Sequence, residues 1–419
     1  MTTVAEAPAP EAGDERKPSF GRRLFNAYLY GSTPVLVLLS FVSALIIGAI
    51  LIVISDDPTR TAMGYFTQHP SDTFSRGWHA ISLAYSQLFQ GSVINTDSFY
   101  SDGGVPVLNP ISDTLTNATP LMLGGLSVGL AFRAGLFNIG GQGQLIAGAI
   151  CAGYVGFAWN LPAGLHVIVC VIAGAVGGAV WGGIAGALKA KTGAHEVITT
   201  IMLNYVALYL LGYLLSVNGF QKPHSNEAIS RTMRSTALLP HLFGSNPKLR
   251  VNFGLIIALA AALVCWWLLS RSTLGFRLRA VGANAFAART AGMSIAGSYI
   301  VVMLIAGSLM GLAGASQVMG VNTSLNQSID ANIGFDAITV ALLGFASPGG
   351  TVLAALLFGA LNAGSVQLLS HTSTPQDLVH IMQAVIVLFI AAPGLIRLIF
   401  RLRASRGGGG GALAKGWNG

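Results

Sequence analysis

Residues 251–319 read VNFGLIIALAAALVCWWLLSRSTLGFRLRAVGANAFAARTAGMSIAGSYIVVMLIAGSLMGLAGASQVM: two apolar stretches, 251–269 and 294–319, joined by a short basic loop. A bilayer crossing needs roughly 20 apolar residues, so each stretch is long enough to span. The loop carries Arg271, Arg277, Arg279 and Arg289 and no acidic residue, which assigns it to the cytoplasmic side, because positive loops resist translocation. Asn284 suits a helix N-cap, alanines follow it, and Gly292 can supply a left-handed stop. The spacing predicts one short helix under the membrane, 284–291, with Phe286 offered to a partner. The loop alone fits a docking helix and a plain topological tether equally well.

Working outward, composition fixes the class. The chain has 419 residues, is 53% hydrophobic and only 9% charged, with a mean hydropathy of +0.66. A soluble domain carries roughly a quarter charged residues, so this chain cannot wet its own surface. Its 53 glycines show no collagen period and sit within apolar runs, where small residues let helix backbones approach. The net charge of +8 clusters beside the spans without an aromatic platform, which argues against nucleic acid. Cys151, Cys170 and Cys265 lie in apolar segments without metal-ligand spacing and read as buried hydrophobes; no metal site is expected.

The predicted fold is all-α and polytopic, with about ten transmembrane helices near 33–54, 113–131, 141–159, 163–187, 197–216, 251–270, 294–319, 333–346, 350–370 and 376–399. The span at 333–346 is short enough to be a half-helix. With both termini cytoplasmic, sixteen Lys and Arg fall inside and seven outside, in accord with the positive-inside rule; the discordant part is 218–250, an outer loop with five basic residues. Residues 1–18 are expected to be a disordered cytoplasmic N-terminus. They form no signal peptide, since no apolar stretch precedes Val35. The permease domain then covers 19–404, with an extracytoplasmic segment at 55–112 whose residues 74–89 suit an interfacial helix. Residues 405–419, with five consecutive glycines, form a flexible tail.

No GxxxxGK[ST] occurs, so no P-loop nucleotide site and no enzyme activity of its own are expected. Carboxylates near apolar cores are few, notably Glu196 and Asp336, which weakens a proton-driven carrier. Neutral amides are common instead, among them Asn138, Gln142, Gln144, Asn204 and Gln317. Singly, each reads first as interhelical glue. As a set they suit a pathway for a neutral polar solute, because amides both donate and accept without the desolvation cost of charge. Tyr205, Phe132, Phe137 and Trp181 add faces on which a ring can stack, with core packing as the default for each.

Four ordered blocks carry a resemblance: GLAFRAGLFNIGGQGQ (129–144), EVITTIMLNYVALYLLGYLL (196–215), LRAVGANAFAARTAGM (278–293) and GFDAITVALLGFASPGGTVLAALLFGAL (334–361). Over about 113–400 the chain resembles the nucleoside-type ABC importer permeases, within the branched-chain amino acid and simple-sugar permease superfamily. That resemblance implies an ABC importer permease fold in a bacterial cell membrane. It implies a heterodimer with a second, related permease, ABC ATPase subunits docked below, and a substrate-binding lipoprotein above. ATP and Mg would be bound by the ATPase, with no cofactor in this chain. It also implies that Arg279, Asn284, Phe286, Arg289 and Gly292 belong to a cytoplasmic coupling loop, 271–293. Asn138, Gln142, Gln144, Asn204, Tyr205 and Gln317 are expected along the substrate pathway. Two positions depart from the family pattern: Gln142 stands where Glu is usual, and His195 where Asn is usual. The first loses a carboxylate, so that position can hydrogen-bond a solute but not balance its charge. Expected substrates are, in order, a purine or pyrimidine nucleoside, a simple sugar such as a pentose, and a branched-chain amino acid. The competing function class is a self-sufficient secondary carrier.

Overall fold

Every regular element among the described residues is helical. The structure, a computed structural model, describes residues 33–95, 107–244, 249–372, 375 and 377–401; the expected flexible ends, 1–18 and 405–419, lie outside them. The helices are α1 (Thr33–Ser55), α2 (Asp57–Met63), α3 (Pro70–Ser92), α4 (Asn109–Arg133), α5 (Gly141–Ala158), α6 (Leu165–Thr192), α7 (Glu196–Leu214) and α8 (Gly254–Arg271). There follow α9 (Thr273–Ala283), α10 (Ala285–Thr290), α11 (Ile295–Gln317), α12 (Ile333–Leu343), α13 (Pro348–His371), α14 (Asp377–Ala391) and α15 (Pro393–Ile399).

Seven of them, α1, α4, α6, α7, α8, α11 and α13, are long and apolar enough to cross a bilayer. The other three predicted spans are helical with qualifications. In α5 the opening Gly-Gln-Gly-Gln lowers the hydropathy, α12 is the expected half-helix of 11 residues, and 376–399 is not one helix. Pro393 lacks the N–H that would continue α14, and Ala392 leaves helical geometry at φ −118°, ψ 69°. The predicted helix at 74–89 lies within α3, with Phe74 and Trp78 exposed. Its Tyr85 hydroxyl donates to the Leu45 carbonyl, halfway along α1, and pins α3 to that helix. Residues 218–244 of the predicted outer loop pack on the bundle: His166, buried at the α6 start, binds Thr236 and the Val155 carbonyl at 2.9 and 3.1 Å.

Glycine sets the centre of the bundle. Gly174, Gly178, Gly182 and Gly186 recur every four residues on α6, while Ile168, Ile172, Val176 and Val180 form the exposed stripe on its other side. The glycine face meets Gly307 and Gly311 of α11. A Cβ added at Gly178 would fall on the Gly307 carbonyl oxygen, and one at Gly307 on that of Gly178. Lipid provides no hydrophobic drive between helices, so this backbone-to-backbone approach, with its dispersion contacts, holds the pair together. On α5, Gly148 joins the same centre by packing on Gly311.

Candidate functional site

The chain re-enters the bundle after α4. Gly135, at φ +75°, turns it back, and α5 starts against the middle of α7. Asn204 stands eight residues into α7, about 12 Å along its axis. Its Oδ1 accepts from the Gly143 N–H at 2.8 Å and its Nδ2 donates to the Ile139 carbonyl at 2.9 Å. Asn138 and Gln144 donate to one another, each at 3.0 Å, and Asn138 Oδ1 also accepts from the Gly140 N–H at 3.2 Å. All three amides are buried. Their hydrogen bonds hold the re-entrant turn, whereas the expectation was that they line the pathway. Gln317 is also buried, far along α11, with its Oε1 unpartnered.

Gln142 and Tyr205 are placed differently. Gln142 is half-buried and its Nε2 donates to Asp330 Oδ2 at 2.9 Å. Tyr205 is 54% exposed and begins a line of exposed tyrosines on α7 with Tyr209 and Tyr213. Asp330 was missed in the sequence because 323–332, TSLNQSIDAN, reads as a polar connector. The available signal was Leu325 and Ile329, apolar anchors four residues apart, both fully buried. Leu325 is tied by backbone and hydroxyl bonds to Ser230 at 2.9 and 2.8 Å. So fixed, the segment reaches inward until Gly334 of α12 packs on the backbone of Gln142. The N-termini of α5 and α12 therefore meet at Asp330, in a notch flanked by exposed Gln327, Ser328 and Asn332. Gln327 lies beside Gly212, within a turn of Tyr209 and Tyr213.

The basic loop holds two helices where one was predicted. Ser272 caps α9 by accepting from the Gly275 N–H at 2.9 Å, a cap that sequence reasoning passed over. Asn284 then caps α10, accepting from the Ala287 N–H at 3.0 Å, and Gly292 stops it at φ +81°. Phe286 is 83% exposed, and Arg279 and Arg289 are exposed beside it. Phe276 on α9 adds a second exposed ring. Gly282 seats α9 against the end of α4, where a Cβ would collide with the Arg133 carbonyl.

The described residues thus form a multi-pass helical bundle, with a polar junction where two helix ends meet and a loop that presents apolar and basic side chains. Residues 111–391 match the family described as the branched-chain amino acid transport system / permease component, and the chain belongs to that family. It is 36% identical to the guanosine ABC transporter permease protein NupP of Bacillus subtilis, over 77% of this chain and 88% of that one. Identity is also 36% to the nucleoside ABC transporter permease protein NupB of Lactococcus lactis, over 69% and 81%. To the glucose ABC transporter permease protein TsgB13 of Haloferax volcanii it is 34%, over 67% and 75%. No solved structure matches it. The chain is thus a permease subunit of an ABC transporter, a class that works with an ATPase partner.

Proposed function

We propose that this permease imports a nucleoside. The observation that carries the reading is the 36% identity to a guanosine permease across 88% of that protein's length. The notch supports it chemically: Gln142, Gln327 and Asn332 offer neutral donors and acceptors, and the α7 tyrosines offer faces for a base. In this reading the arginine-rich end and both termini are cytoplasmic, in a bacterial plasma membrane. The chain has no nucleotide site; ATP and Mg²⁺ sit on the ATPase, which docks on Phe286 and its basic rim. A second, related permease completes the pathway by covering the open α7 edge, where a lone tyrosine hydroxyl in lipid would lack partners. A binding lipoprotein delivers solute from outside. The glucose permease at 34% identity supports a simple sugar as the second reading, since both solutes demand hydroxyl recognition.

The test is uptake of labelled guanosine, uridine, ribose and leucine by cells with and without the gene. Gene-dependent, ATP-dependent guanosine or uridine uptake is expected. Uptake of ribose alone would turn the assignment to a sugar, and transport by the purified chain alone in liposomes would remove the ATPase from the mechanism.

A further inference from the structure

Asp330 is 6% exposed, yet its one hydrogen-bonding side-chain partner among the described residues is an uncharged amide, Gln142, at 2.9 Å. None of the ion pairs among the described residues includes it. A carboxylate offers about four lone-pair sites, and among the described residues only one side-chain donor, on Oδ2, fills any of them. The N-termini of α5 and α12 lie near the charge, since Gln142 is in the first turn of α5 and Asp330 stands three residues ahead of α12, and their partial positive ends ease it. They fill few of its acceptor sites. The backbone just beyond is also strained: Ala331 and Asn332 hold φ of +42° and +61° without being glycine, a conformation that costs on the order of 1–3 kcal/mol per residue. Buried charge, open acceptors and strain coincide at the point where two helices end against each other.

The chemistry of the surroundings selects the ligand. Positive potential from two helix ends disfavours a cation, and neighbouring Gln142, Gln327 and Asn332 are neutral. What remains is an uncharged donor, and a carboxylate receives two adjacent donors best, one per oxygen. Paired sugar hydroxyls have that form, and carboxylates accept ribose hydroxyls in dinucleotide sites for the same reason. We propose that Asp330 accepts the vicinal 2′,3′-hydroxyls of the ribose during passage, and that Gln142 is the positioning residue that holds the carboxylate toward the notch. This rests on the nucleoside reading and adds to it the feature of the solute that is read.

The test compares guanosine with 2′-deoxyguanosine and 2′,3′-dideoxyguanosine as labelled substrates of the complete transporter in cells. The wild type should favour guanosine by about tenfold or more, the value of one hydrogen bond to a charged acceptor. Asp330→Asn should raise the KM for guanosine about tenfold, leave the deoxy analogues nearly unchanged, and bring the ratio toward one. Gln142→Ala should lower the ratio part of the way; because it removes only an amide from a half-buried site, it also serves if Asp330→Asn fails to reach the membrane. A wild type that carries guanosine without preferring it, or a ratio unmoved in the variants at normal membrane level, overturns the assignment of Asp330. Should cells take up ribose and no nucleoside, the nucleoside reading fails by itself. The same variants against ribose and 2-deoxyribose then decide the hydroxyl contact, with an unmoved ratio again overturning it.

Discussion

The α6–α11 seam and the notch between α5 and α12 are neighbours built on opposite principles. In the seam, glycines bring two helices so close that no side chain separates Gly178 from Gly307. In the notch, two helix ends stop short and leave a carboxylate, amides and strained backbone between them. The seam has one arrangement, because packed backbones are not continuously deformable. The notch has unmet hydrogen-bonding capacity that a solute can meet. Between the two lies the amide cluster of Asn138, Gln144 and Asn204, polar like the notch and filled like the seam. Polarity within a membrane bundle is therefore not itself a mark of function; the same residue types brace a turn in one place and leave an acceptor within reach in the other.

The strongest way to break this contrast is to force the seam apart. Gly178→Leu places a branched side chain where a Cβ alone would already overlap the Gly307 carbonyl. Relief requires helix separation, so the effect should exceed the roughly 1–3 kcal/mol of an ordinary overpacked site. The expected outcome is loss of folded protein from the membrane, seen as a vanished monodisperse peak in detergent. A stable, monodisperse Gly178→Leu would mean that the seam opens readily and is part of the moving machinery.

A smaller effect separates the amide cluster from the notch. Asn204→Leu strands the Gly143 N–H and the Ile139 carbonyl in the interior. Membrane hydrogen bonds average only about 0.6 kcal/mol, but an unpaired buried group costs about 1–3 kcal/mol. Asn204→Leu should therefore lower the Tm in detergent, while Tyr205→Leu, one residue along but 54% exposed, should leave the Tm unchanged and weaken uptake. If Asn204→Leu keeps the wild-type Tm and loses only transport, the cluster belongs to the pathway after all.

Sequence reasoning reached these regions unequally, for physical reasons. The principle of the seam was legible, since glycines within apolar runs pointed to close helix approach, but its place was not: the glycine at every fourth residue of α6 was not singled out, and its partner helix is set by tertiary packing. The caps Asn284 and Gly292 were legible, because their conformational preferences are local. The amides were visible as residues, but their roles were not, since whether Asn204 faces a solute or the Gly143 N–H depends on a re-entrant turn that no local pattern encodes. Asp330 was hidden more deeply: between two spans, a polar decapeptide looks the same whether it lies outside the bundle or folds into it. The break at Pro393 was legible in principle and was outweighed by continuous hydropathy across 376–399.

The basic loop relates the two regions, because α10 leads directly into α11, one half of the seam. A push on α10 would move α6 and α11 together as a rigid pair, leaving α5 and α12 to yield at the notch. The force must enter through a contact strong enough to transmit it. Exposed charges contribute on the order of 0–1 kcal/mol each, whereas an aromatic anchor buried at an interface is worth about 2 kcal/mol or more. Phe286, at 83% exposure, is the most exposed large apolar side chain on the loop, with Phe276 second at 57%. Phe286→Ala should therefore release or uncouple the ATPase, and Arg289→Ala should change little, a gap of about tenfold or more in affinity. Co-purification of the ATPase together with substrate-stimulated ATP hydrolysis measures both. If Phe286→Ala keeps both at the wild-type level while Phe276→Ala loses them, α9 carries the contact and the push reaches the seam by way of α4, on which Gly282 is seated. If neither variant loses them, the loop is a topological tether, and the seam is moved from elsewhere.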